Sequence, residues 1–171
     1  AFYLTIGNVV TTFTGQNIGA GKLERVKEGA KVSTYILLLI SFVSSILIYF
    51  GGALIITIFN QDTDVIAFGA RILKVIAPFY IFDGLALLYS SVFRGAGASI
   101  AALVISLIQT FLRIPAAYLF LYLFNDPIGI WVSMPFSWVV AAILSFFYYR
   151  WGSWQNKSLV KSKTYPIPEA Y

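Results

Sequence analysis

The chain has 171 residues, of which 59% are hydrophobic, 18% aromatic and only 11% charged, with a mean hydropathy of +0.82. That is too little polar residue to cover a soluble globule of this size, and it predicts an integral membrane protein whose first partner is the lipid bilayer. Zero Cys and zero His exclude a disulfide framework and thiolate or imidazole metal centres, and remove the commonest general base, so no metal site and no enzyme is expected; the net charge of +5 sits between apolar runs and in the tail, where the positive-inside rule explains it without nucleic acid.

The first residue is Ala, and the chain opens in uncharged membrane-like sequence with no basic n-region and no small-residue cleavage site, so the opening is not a signal peptide. The expectation is the C-terminal part of a longer protein. A first helix is predicted over about 1–21. Asn8, Thr11, Thr12, Thr14, Gln16 and Asn17 make it polar for a span, which places it in a bundle or along a cavity, with Asn8, Thr12 and Gln16 as cavity-lining candidates. Lys22 to Lys31 holds four basic residues and reads as a solvated loop or short helix. A second span follows over about 32–59, long enough to cross with tilt, and Gly51-Gly52 permits a close approach or a kink.

Asn60 to Asp64 is a short acidic turn before a third span over about 65–93, with Pro78 as a kink and Arg71 and Lys74 read as snorkelling to the headgroups rather than as site residues. Arg94 to Ser99 turns the chain back into a fourth span, about 100–124, interrupted only by Arg113-Ile114-Pro115 and closed by Asn125-Asp126-Pro127. The fifth, about 128–149, ends in an aromatic and basic border, and residues 152–171 read as a disordered cytoplasmic tail beyond a membrane domain of 1–151. The fold class is therefore all-α, a polytopic transmembrane bundle of about five helices.

Successive connections carry four Lys/Arg, none, one, none and, with the tail, four. This alternation puts the Lys22 and Arg94 turns and the C-terminus in the cytoplasm, and Asp62, Asp64 and Asp126 outside.

One carboxylate stands apart. Asp83 lies eleven residues before Arg94, roughly 16 Å at ~1.5 Å per residue, which is near the midplane of a ~30 Å hydrocarbon core. An ionisable group there costs at least ~2.5 kcal/mol unless it meets a cavity or partner. The functional reading is a cation or proton site; the plain one is a buried aspartate bonded to neighbouring hydroxyls or amides. Arg113, twelve residues before Asn125 and so roughly 18 Å below the outer border, falls at a similar depth. It reads equally as an internal counter-ion or as a partner for carbonyls freed by Pro115. The Gly-rich run Gly15 to Lys22 lacks the ending and the preceding strand of a phosphate loop, and reads as small-residue packing at a helix exit.

Taken in order, Gly15-Gln16-Asn17-Ile18-Gly19-Ala20-Gly21, Arg94-Gly95-Ala96-Gly97, Arg113-Ile114-Pro115-Ala116-Ala117-Tyr118, Gly129-Ile130-Trp131 and Trp154 resemble the C-terminal lobe of the multidrug and toxic compound extrusion (MATE) family over about 150 residues. The resemblance implies a twelve-helix transporter of two six-helix lobes with both termini cytoplasmic. This chain would supply helices eight to twelve, and its partners would be the missing N-terminal lobe and small organic substrates, cationic or aromatic. The branch resembling NorM places an acid in the tenth helix, eleven residues before an Arg-Gly turn, where it contributes to Na⁺ or H⁺ binding; Asp83 occupies that position, and no cofactor other than the coupling ion is implied. That branch's partner acid belongs to a seventh helix absent here. Ala98-Ser99 departs from the acid and Thr of many relatives and leaves the turn less charged. The function so implied is a cation-coupled multidrug efflux antiporter of the cell membrane, working by alternating access. The alternatives are a lipid-linked oligosaccharide flippase of the same superfamily and a non-transporting membrane scaffold subunit.

Overall fold

The computed structural model describes residues 2–156. Its elements are α1 (Phe2–Gly19), α2 (Leu23–Thr57), α3 (Thr63–Ile76), α4 (Tyr80–Gly95), α5 (Ser99–Phe124) and α6 (Ile128–Trp151), with short 3-10 turns at Ala77–Phe79 and Ser153–Asn156. Because α3 and α4 continue through the first of those turns, the bundle has five rods, all helical. Four of them, Leu23–Thr57, Thr63–Gly95, Ser99–Phe124 and Ile128–Trp151, are long and apolar enough to cross a membrane. Helix α1 is not one of the four, because its amides and hydroxyls dilute its apolar content.

The burial pattern is inverted relative to a soluble protein. Large side chains such as Phe42, Leu54, Ile100 and Tyr122 are 63–84% exposed, whereas the buried positions of α4 and α6 are dominated by Gly84, Ala86, Ser90, Ser91, Ser133, Ser137, Ala141, Ala142 and Ser145. Lipid gives no hydrophobic drive between helices, so association depends on close backbone approach across small residues, and a multi-pass membrane bundle accounts for both halves of the pattern. Helix α4 sits at the centre and packs on α1, α2, α5 and α6, while α5 lies mainly along α6.

The seam between α1 and α4 shows how close the approach is. A Cβ at Gly7 would come within 2.9 Å of Ser91 Oγ, and Thr11 Oγ1 donates to the Ser91 carbonyl at 3.2 Å. At Pro78 the helix tightens into the 3-10 turn instead of breaking, and Ser45 Oγ of α2 donates to the Ala77 carbonyl there.

Two turns at one end share a single chemistry. Gly21 (φ 69°) and Gly97 (φ 79°) take the left-handed conformation. In each turn the following amide reaches back five residues, Lys22 N to Asn17 O at 2.8 Å and Ala98 N to Phe93 O at 2.7 Å. These are Schellman caps, which glycine closes without a Cβ penalty. The Gly-rich run ending at Lys22 is thus a helix exit, as its composition indicated.

Two boundaries differ from expectation. The basic stretch from Leu23 onward is the beginning of α2, not a separate element, and its N-terminal turn carries the Lys27–Glu24 pair at 2.8 Å. Secondly, the segment read as a disordered tail from residue 152 begins with the ordered turn Ser153–Asn156. Trp154 is fully buried there, stacks on Tyr149 with centroids 5.1 Å apart, and donates from Nε1 to the Tyr149 carbonyl at 2.8 Å. An indole that finds both an apolar cover and an acceptor folds back onto the bundle. The remainder of the tail, 157–171, lies outside the described residues.

Candidate functional site

Asp83 projects from α4 into a cleft of about 300 Å³ walled by Tyr3 and Leu4 of α1 and by Ser106 and Gln109 of α5. On α4 itself Asp83, Ala86, Leu87, Ser90 and Arg94 line it. Their spacing of three or four residues makes one helical face, so the cleft follows that face from mid-depth to the basic end of the bundle.

The carboxylate has one direct partner among the described residues. Gln109 Nε2 donates to Asp83 Oδ1 at 3.2 Å, joining α5 to α4 inside the apolar zone. One turn before Asp83 the Tyr80 ring stacks on Trp138 with centroids 5.5 Å apart. Tyr3 is fixed by its hydroxyl, 3.1 Å from Ser41 Oγ of α2. At the other end of the cleft Arg94 Nη2 donates to Ser91 Oγ at 2.8 Å.

Arg113 lies one turn beyond Gln109 on α5 and acts on Asp83 through space. No direct ion pair joins them: among the described residues the pairs within 4 Å are Lys27–Glu24 and Arg71–Asp126. Among the described residues Arg113 Nε is buried without a hydrogen-bond partner, so at that atom no carbonyl freed by Pro115 is being satisfied.

The third group of candidates falls elsewhere. Asn8, Thr12 and Gln16 are exposed along α1, while Gly7, Thr11 and Thr14 face α4. They do not line the Asp83 cleft, whose α1 wall is Tyr3 and Leu4.

Sequence reasoning passed over Gln109, although it lies four residues before Arg113 and so on the same helical face, which was the available signal. It also set aside Arg71. That side chain bonds to Asp126, Nη1 to Oδ2 at 2.8 Å, and ties α3 to the turn between α5 and α6. Asp126 Oδ1 meanwhile accepts from Ile128 N at 2.8 Å. The Ile128 amide first and Arg71 second hold the Asp126 carboxyl below the usual carboxylate range.

Comparison with known proteins bears on the same elements. The chain is 33% identical over 162 residues to "Probable multidrug resistance protein YpnP" of Bacillus subtilis, a match covering 94% of this chain and 36% of that protein. It is 26% identical over 160 residues to "Probable multidrug resistance protein YoeA" of the same organism, covering 92% of this chain and 34% of the relative. A shorter match, 28% over 83 residues, is to "Multidrug and toxin extrusion protein 1" of Mus musculus, covering 48% of this chain and 15% of that protein. The chain thus spans about a third of the length of its two Bacillus relatives. No solved structure matches it. The MatE family model matches residues 1–119, a stretch that carries α1 through most of α5 and with them Asp83, Gln109 and Arg113, and on this match the chain belongs to the MatE family.

Proposed function

We propose that this chain is part of a cation-coupled efflux antiporter of the cell membrane that exports small organic compounds, cationic or aromatic, by alternating access. The reading is carried by one observation, a lone carboxylate deep in a spanning segment, hydrogen-bonded to Gln109 and opening on a cleft that leads to the basic end of the bundle. A mid-depth acid is costly and persists where an ion or proton is handled. Membership of the MatE family and the multidrug-resistance names of the relatives support the same reading.

The mechanism asks two things of Asp83. Its carboxyl must exchange between a charged form that holds a cation and a neutral or compensated form that lets the site turn over. Burial, Gln109 and the Arg113 charge pull on that balance in different directions, so what enters the cleft decides which form prevails. Oxygen donors for Na⁺ stand on the same walls: the Asp83 carboxylate, the Gln109 amide oxygen, and the hydroxyls of Ser90, Ser106 and Tyr3. For H⁺, Asp83 alone suffices. The second lobe that alternating access requires lies in the rest of the longer protein, and the exposed amides and hydroxyl of Asn8, Thr12 and Gln16 are suited to face it across a polar path. The C-terminus is assigned to the cytoplasm.

The test is Asp83→Asn in the full-length protein reconstituted in vesicles. The amide keeps the volume and much of the hydrogen bonding, so insertion is retained while export driven by an imposed Na⁺ or H⁺ gradient is abolished. Export as fast as wild type would place the coupling site outside this chain.

A further inference from the structure

Arg113 faces a second space. It heads a cleft of about 430 Å³ between α5 and α6, within the size range of small-molecule sites, whose walls are Ala117, Tyr118 and Leu121 from α5 and Trp131 and Met134 from α6. Apart from the arginine this lining is almost wholly apolar. The guanidinium cannot shed its charge, and its Nε is buried without a hydrogen-bond partner among the described residues. Neither ion pair within 4 Å involves it.

A charge-assisted bond from the outer nitrogens of a guanidinium to a planar carboxylate or sulfonate is among the strongest an arginine makes. From Arg113 to Leu121 the α5 wall extends two turns, roughly 12 Å at ~1.5 Å per residue. Tyr118 and Trp131, residues 73% and 38% exposed, flank that length. A flat apolar body fits between such rings.

We propose that the α5–α6 cleft binds organic anions with an aromatic body, the acid group on Arg113 and the ring system between Tyr118, Trp131 and Met134. For its place in transport this rests on the efflux reading, to which it adds aromatic acids as a substrate class. The two polar side chains stand on opposite duties along α5. Gln109 attends the Asp83 cleft, where a cation belongs, and Arg113, one turn on, attends the cleft where an anion belongs. An anion that draws Arg113 toward α6 removes positive charge from the neighbourhood of Asp83, so the two sites communicate through one turn of helix.

The experiment is equilibrium binding to the full-length protein in phosphatidylcholine nanodiscs with no ion gradient, comparing 2-naphthoate with its neutral isostere 2-naphthamide and subtracting protein-free nanodiscs. Naphthoate is expected to bind about tenfold tighter than naphthamide or better. Arg113→Gln removes that preference, and Ala117→Phe, which fills the cleft from its wall, weakens both probes. Equal binding of the two probes to wild type, or an undiminished preference in Arg113→Gln, overturns the proposal and leaves the cleft a lipid-facing groove. Should Arg113→Gln not fold, unchanged naphthoate affinity in Ala117→Phe overturns it equally. The measurement uses neither a gradient nor Asp83, so a negative result leaves the coupling proposal standing, and a failed coupling test leaves this one intact.

Discussion

Gln109 of α5 and Asp83 of α4 meet across 3.2 Å of otherwise apolar interface, amide to carboxylate. Hydrogen bonds inside membranes average about 0.6 kcal/mol in double-mutant cycles and reach about 1.7 at most, because the unfolded reference also finds partners. Replacing Gln109 by Met keeps the length of the side chain and removes the donor.

The expected result is a coupling energy near that range in a cycle of Gln109→Met and Asp83→Leu, which removes the acceptor at similar volume, measured by unfolding in detergent. Gln109→Met also slows gradient-driven export, since the amide holds the carboxylate toward the cleft. Additive single and double mutants, with export unchanged, would mean that the contact neither stabilises the fold nor positions the acid.

How much of this was legible in the chain itself follows from what is local and what is not. Helix placement came from uncharged runs and charged turns, both local signals, and every expected rod is present within a few residues apart from the early start of α2. The place of Asp83 inside a long apolar helix was legible from the run itself. The partners were not. Gln109 was one polar residue in an apolar run, and only the packing of α5 on α4 gives it an acceptor. Arg71 looked like a snorkelling cation because its partner, Asp126, comes from a turn two helices later in the chain. Trp154 was legible as a closing motif residue but not as a buried one, because nothing local announces that an indole will find a carbonyl on the preceding helix.

The Arg71–Asp126 pair gives a pH dependence with a definite sign. The Asp126 carboxyl is held below the ordinary value of about 3.9, by Ile128 N first and then by Arg71. A depressed folded pKa contributes stability that is complete above the unfolded value and is lost as pH falls through the folded one. Asp126→Asn keeps an acceptor for Ile128 N and deletes the charge, so it isolates the ionic part. In thermal unfolding by circular dichroism the variant should melt slightly below wild type near about pH 7, the gap closing as the pH falls below the ordinary carboxylate range and narrowing in high salt, because Arg71 is half-exposed. A gap that is constant with pH and salt would remove the charge from the explanation.

The seam between α1 and α4 predicts an order of sensitivity among its glycines. A Cβ at Gly95 would sit 2.7 Å from Thr14 Cβ and nearer still to the Thr11 backbone carbonyl, which cannot move without shifting α1. At Gly7 the first obstacle is the Ser91 hydroxyl at 2.9 Å, the end of a rotatable side chain. Gly95→Ala should therefore cost about 1–3 kcal/mol of overpacking, and Gly7→Ala distinctly less, both read from unfolding in detergent. Equal tolerance at the two sites would show that α1 is held more loosely than this packing requires.

Orientation in the membrane rests on which residues share an end of the bundle. Lys31 of α2 and Tyr149 near the end of α6 line one cleft, and Gly95 abuts Thr14, so the basic start of α2, the Arg94 turn and the end of α6 lie together. The Arg71–Asp126 pair gathers the beginnings of α3 and α6 at the opposite end, where Asp62 caps α3 by accepting from Asp64 N and Val65 N. Lys22, Arg25, Lys27, Lys31, Arg94 and Arg150 thus cluster on one face of the membrane, which the positive-inside rule assigns to the cytoplasm. The chain has no Cys, so Arg25→Cys and Asp62→Cys supply single labels without background, provided that the rest of the full-length protein is also freed of cysteine. In intact cells an impermeant maleimide should label position 62 and leave position 25 unlabelled until the membrane is opened. Labelling of both from outside would break the two-ended arrangement, and labelling of position 25 alone would invert it and carry the Arg94 end of the Asp83 cleft to the outer face.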